Sequence, residues 1–273
     1  CETQQPIPGG LVGGVLGGQM FNTFSPQGLS QQLLTQCERF GVGHGLEVVA
    51  NLGACAPGAD KAQPGGVGCC HGRGDHFDHI AGGKVFKDAG ATFVAHRAAW
   101  KRLNELKDPH TVLPDESVGD GGRVITLGGT RLELTYHGLN HSDSTLVMRL
   151  PKEKVIFVVD TLPVGTFPGR GMIDFHPFET EAFMKEVLAM DWQTLIPGHP
   201  GPGDRLGTKK DVEEQLQLLQ DASEEMKKLA QDGKCWDTAE KDFKLPKYEK
   251  MPGYAAGLPF VARRYCGLWG RGT

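Results

Sequence analysis

Positive charge never accumulates in this chain. It has 273 residues, a net charge of −4 and no long basic run, so it offers no cationic stripe of the kind nucleic acid needs. No stretch approaches the roughly 20 consecutive apolar residues of a membrane helix. Seven cysteines are present, an odd number, and none forms a C-x-x-C pair. Cys69 and Cys70 are adjacent and do not easily bridge to each other, so cysteine usage leaves the redox compartment open. The Gly-rich stretches GVGHG and GDGG lack a phosphate-loop lysine and read as plain turns. No internal repeat is present, and the length suits one large domain or two small ones.

Charge is scarcest in residues 1–70, where only Glu2, Glu38, Arg39, Glu47, Asp60 and Lys61 carry it. The same stretch holds five of the seven cysteines and many glycines. A short helix at 29–41 and a strand at 46–52 are its only regular signals, and 53–68 reads as loop. It fits a flexible tail, the atypical first part of a fold, or altered sequence such as a shifted reading frame. Compensating single-base changes in the nucleotide sequence would mark the last. The first residue, Cys1, is expected of a processed product or a fragment. It also gives a slight lean toward the periplasm or secretion.

From residue 71 onward the pattern is that of an ordinary protein of strands and helices. Short-period apolar stretches predict strands at 91–96, at 121–138 as a pair joined at Gly128-Gly129, at 144–151, 154–160 and 193–199. Helical periodicity predicts helices ending at Gly90, at 97–107, 178–190 and 208–233, the last starting at a Thr and stopping at a Gly. Residues 236–273 read as an aromatic, loop-rich extension packing on a core of 71–235. Strands followed by helices imply layered sheets.

Chemistry concentrates at the ends of these strands. In HFDH, His76, Asp78 and His79 offer imidazole and carboxylate, the donors that zinc accepts. His141 sits in a loop just before a strand. Asp160 follows five apolar residues, where a carboxylate is costly unless paired or bound to a cation. His199 closes another apolar strand in Pro-Gly-His. Singly, each reads as a hydrogen-bonded loop residue. Together, in this order, they read as a metal site. His96 and His110 carry no such reading. His137 and His176 are near enough in sequence to support the site or line its pocket. The loop 163–178 and the aromatics Tyr254, Tyr265 and Trp269 are candidates for pocket walls or for core.

These pieces, GDHFDHIAGG, GLNHSDST, FVVDT and PGHPG, resemble the metallo-β-lactamase superfamily over roughly residues 71–235. The resemblance implies an α+β four-layer αββα sandwich with metals at one edge of two sheets. It implies that His76 and His141 serve a first zinc ion, that Asp78, His79 and His199 serve a second, and that Asp160 bridges them. The family pattern is H-x-H-x-D-H, and Gly74 stands where its first His belongs. His71, three residues upstream, is a poor substitute, so the first site is expected to be the weaker of the two.

The function so implied is zinc-dependent hydrolysis of an ester, thioester, lactone or β-lactam in a small-molecule substrate. Metal-bound hydroxide attacks the carbonyl, and Asp78 orients the water. An aspartate at the bridging position lowers the β-lactam reading. Two alternatives stand beside it. One is an impaired or non-catalytic metal-binding relative, on account of Gly74. The other is an oxidoreductase holding one iron and oxidising persulfides, whose iron would use the depleted first-site ligands. Oligomeric state is open. Gly74→His is expected to raise both zinc bound per chain and turnover, measured by metal analysis and a β-lactam and thioester panel. An unchanged result would mean that the second site suffices or that His71 already fills the place.

Overall fold

The strand stretches predicted beyond residue 90 all form strands, and their apolar residues sort onto opposite faces. The computed structural model describes residues 91–127, 130–199, 201–235 and 238–271, with short elements at 49–50, 67–69 and 84–88. One sheet holds β1 (Val49–Ala50), β2 (Val67–Cys69), β3 (Thr92–His96) and β4 (Glu116–Val118), all parallel and in that order. The second holds β5 (Arg123–Leu127), β6 (Thr130–Tyr136), β7 (Leu146–Leu150), β8 (Val155–Val158) and β9 (Thr194–Pro197), also in chain order. Its first four strands alternate in direction, and β9 runs parallel to β8. Among the described residues six helices accompany them: α1 (Lys84–Asp88), α2 (Arg97–Leu106), α3 (Pro177–Ala189), α4 (Lys209–Gln231), α5 (Ala239–Asp242) and α6 (Tyr254–Trp269).

Side-chain alternation builds the layers. Leu132 and Leu134 of β6, Leu146 and Met148 of β7, and Phe157 of β8 meet Val94 and Val118 from the first sheet, forming the core between the sheets. Their neighbours Val147, Ile156, Val158 and Leu195 face the other way, into a core shared with α3, α4 and α6. On the far side of the first sheet, Phe93 and Ala95 pack on Ala99 of α2. The order is therefore helix, sheet, sheet, helix. All of β8 is buried, because helices cover one face and a sheet the other. Each such aliphatic side chain contributes about 1.5–3 kcal/mol by leaving water.

Parallel pairing of β8 with β9 needs a crossover, which α3 supplies. It begins with Pro177 at its first position, where the missing N–H costs nothing. Two features differ from the sequence reading. The strand β4 was not foreseen, since only three residues pair with β3. The C-terminal stretch read as loop-rich contains the 16-residue helix α6, with Pro259 inside it. That helix packs through Val261, Ala262 and Tyr265, all wholly buried. At Gly257 a Cβ would lie 2.1 Å from the Pro168 carbonyl oxygen, so glycine lets the helix backbone touch the loop beneath. Among the described residues no helix is long and apolar enough to cross a membrane.

The start of α4 is held by charge. The Asp211 carboxylate accepts hydrogen bonds from the Thr208 N–H and hydroxyl, both at 2.8 Å, and from the Arg205 guanidinium at 2.5 and 3.1 Å. Burial pushes its pKa up, but these donors outweigh it and hold the carboxyl below the usual aspartate range. A depressed folded pKa means that the stabilisation is present above the unfolded value, near 4, and is lost as pH falls through the folded value. Asp211→Asn is therefore expected to lower the thermal midpoint at pH 7. The gap from wild type should narrow as pH falls below about 4, as followed by circular dichroism.

Candidate metal centre

Strand register brings the site together. Val158 of β8 pairs with Pro197 of β9 in parallel, so Asp160 and His199, each two residues further on, lie level. β7 runs antiparallel to β8, with Met148 opposite Phe157. The start of β7, and the loop before it carrying His141, therefore reach the same edge. The structure places Oδ1 of Asp160 3.0 Å from Nε2 of His199, and Oδ2 of Asp160 3.8 Å from Nε2 of His141. Asp160 and His141 are buried side chains, while His199 is open to solvent at 64% exposure.

Asp160 has a left-handed backbone, φ +59°. The Thr161 N–H donates to the Val159 carbonyl at 2.7 Å, closing a three-residue turn around it. A turn of this hand is uncommon for a residue with a side chain and costs on the order of 1–3 kcal/mol. It ends the β8 direction abruptly and places the carboxylate at the sheet edge. Gly198 completes the arrangement. A Cβ there would sit 2.7 Å from Cγ1 of Val159 and 2.8 Å from the Asp160 nitrogen. Only a residue without a side chain lets the two loops lie so close.

His141 is walled by the loop at 163–178, which the sequence reading proposed for the pocket. Its ring lies 5.1 Å from that of Phe175, and a Cβ at Gly171 would fall 3.2 Å from its Cε1. Sequence reasoning missed the residue before it. Asn140 is wholly buried and bonds to Ser142, Thr145 and Thr161 at once. The only signal was an unusually polar run, NHSDST, entering an apolar strand.

The other histidines have occupations elsewhere. His96 is buried and stacked 4.3 Å from Tyr136, and its Nδ1 accepts from the Ala98 N–H at the start of α2. Burial lowers its pKa, against the raising effect of Asp120. His137 stands 2.8 Å from both Thr135 and Glu186, neither of them a candidate ligand. His176 precedes α3, and its N–H donates to the Asn140 carbonyl. His110 is exposed. Of the aromatics proposed for pocket walls, Tyr265 is core, Tyr254 accepts from the Leu245 N–H, and Trp269 packs edge-on to Phe178. His71, Gly74, His76, Asp78 and His79 lie outside the described residues. Among the described residues no group of three His, Cys, Asp or Glu is arranged to hold a metal ion. Two imidazole nitrogens around a buried carboxylate are nonetheless the donor chemistry that suits zinc.

Comparison with known proteins agrees with this architecture. Residues 75–199 match the family model described as the metallo-beta-lactamase superfamily, a span from just after Gly74 to His199. No curated protein matches significantly. Among solved structures, a double mutant of the sec-alkyl sulfatase PisA1 superposes with a TM-score of 0.59 at 14% identity, covering 76% of this chain and 42% of that one. A metallo-beta-lactamase from Pontibacter korlensis gives 0.49 at 18% identity over 56% of this chain and 68% of its own. The DIM-1 metallo-beta-lactamase gives 0.47 at 20% identity, over 58% and 69% respectively. The fold is the α+β sandwich of the metallo-β-lactamases.

Gly198→Ala is expected to destabilise by about 1–3 kcal/mol, because the backbone at Asp160 and Val159 must give way along with the stiff Val159 side chain. Gly169→Ala, where a Cβ meets nothing within 4 Å, is expected to stay within about 0.5 kcal/mol of wild type. Urea midpoints measure both.

Proposed function

We propose that the chain is a zinc-dependent hydrolase. His141, Asp160 and His199, together with His76, Asp78 and His79, would be the ligands of one or two ions. One observation carries the reading: three segments distant in sequence deliver His141, Asp160 and His199 to one sheet edge, an imidazole facing each oxygen of a buried carboxylate. The superfamily match and the hydrolase-like fold point the same way.

When bound, zinc supplies Lewis-acid polarisation of a carbonyl and a lowered pKa for water near neutrality. The chain's residues supply position. The turn at Asp160 fixes the direction of its carboxylate, and the buried face of His141 allows its ring little freedom. His199, being exposed, lies on the side from which a substrate arrives. Asp78 would help to hold the ion and orient the attacking water. The substrate is a small molecule with a hydrolysable acyl carbonyl: ester, thioester, lactone or β-lactam. Gly74 favours a second reading within the same fold, a relative with a weakened first metal position and reduced turnover.

The test is metal analysis of the whole chain with a carbonyl panel, an alkyl sulfate being added because one structural neighbour is a sulfatase. One or two zinc ions per chain and turnover of an acyl substrate are expected. Asp160→Ala should lose metal and reduce turnover on the order of 100-fold or more. Bound zinc without turnover would favour the impaired reading. Iron near one per chain with oxygen uptake would overturn the hydrolase in favour of an oxidoreductase.

A further inference from the structure

The amide of Asn140 lies between the two loops that carry His141 and Asp160. Its Oδ1 accepts from the Ser142 N–H at 3.1 Å, from the Thr145 hydroxyl at 3.1 Å and from the Thr161 hydroxyl at 3.1 Å. Its Nδ2 donates to the Gly138 carbonyl at 3.2 Å. The backbone partners have fixed roles, one a donor and one an acceptor, so they settle which end of the amide is oxygen. The main chain of Asn140 is tied as well. Its N–H donates to the Ser142 carbonyl, and its carbonyl accepts from the His176 N–H at the start of α3.

Position makes this network more than local. Asn140 immediately precedes His141, and Thr161 immediately follows Asp160. The Thr161 hydroxyl, 3.1 Å from Asn140 and 3.3 Å from the Val159 carbonyl, joins the left-handed turn to the His141 loop. Asn140 and Thr161 are each wholly buried, and Thr145 nearly so. In that setting a hydrogen bond is not exchanged for one to water, so its geometry is strongly enforced. We infer that Asn140, acting through Thr161, is a positioning residue that sets the separation of the His141 imidazole from the Asp160 carboxylate, and so the affinity of the pair for zinc. The inference rests on the zinc reading above. Neither residue is among the proposed ligands.

Replacing Asn140 removes the shared acceptor of three donors and endangers folding, so the test is made at Thr161. Thr161→Val keeps the shape and removes the hydroxyl, while Thr161→Ser keeps the hydroxyl and removes a methyl. Zinc alone is the probe, titrated into the metal-free full chain against a chromophoric chelator. Outer hydrogen-bond partners of metal ligands typically govern about 10–100-fold in affinity. Thr161→Val is expected to bind zinc at least ~10-fold more weakly than wild type, and Thr161→Ser within about threefold of it. Amide hydrogen exchange at Ser142, whose N–H shares the same Asn140 oxygen, should quicken in the Val variant before any metal is added. Wild-type affinity in the Val variant, or a Ser variant as weak as the Val one, overturns the inference and leaves the zinc reading standing. A wild-type chain that binds no zinc overturns both.

Discussion

A carboxylate buried behind an apolar strand is the constraint around which this molecule is arranged. β8 contributes four buried apolar residues and Val159 a fifth, and then the chain presents Asp160 with a side chain only 9% exposed. Removing a carboxylate from water costs several kcal/mol unless something answers its charge. Within the described residues the nearest answers are the imidazoles of His199 and His141, one at each oxygen. The zinc proposal therefore leans on the burial of one residue more than on the number of histidines.

Holding that carboxylate in place engages all the layers. The sheet register levels Asp160 with His199, and Gly198 lets their loops touch. Behind them, Arg205 pairs with Asp211 at the first turn of α4. It also lies against Gly165 from the loop after Asp160, where a Cβ would meet the guanidinium at 2.7 Å. Gly207 bridges back to Leu195 of β9. The loop carrying His199 is thus tied on one side to the strand and on the other to the long helix. On the opposite flank, Asn140 ties the His141 loop to the Asp160 turn and to α3. The loops of His141 and His199 and the turn at Asp160 are each fastened to a regular element, which permits an exposed His199 beside a buried Asp160.

Much of this was legible from sequence because the central strands are long enough to show a period and the helices carry their own end signals. Thr208 before α4 is an example. β4 was not legible: three residues with one buried side chain contain no periodicity, and pairing with β3 alone makes them a strand. α6 was not legible for another reason. Gly257 and Pro259 both lower helix propensity, and the helix forms because α4 and the loop near Phe167 bury its apolar face. Of the six candidate ligands, His141, Asp160 and His199 lie close together at one sheet edge. His76, Asp78 and His79 lie outside the described residues. Asn140 escaped notice because a neutral amide carries no charge and no ligand pattern, and its role appears only when three donors from two loops converge on one atom.

The same geometry bears on Gly74. On the proposed assignment both ions share Asp160, while the first position draws its imidazoles from His76 and His141 alone. A missing imidazole then shifts the burden to the carboxylate and to the precision with which His141 faces it. Both groups are built into the fold, one by a left-handed turn, the other by Phe175, Gly171 and the Asn140 network. A site assembled from flexible loops has no means of compensating for a lost donor. A site whose remaining donors are held by buried hydrogen bonds loses less entropy on binding a cation, and can retain it with fewer of them. On the proposed assignment, the rigidity of His141 and Asp160 weighs as much as residue 74 in how tightly a cation is held.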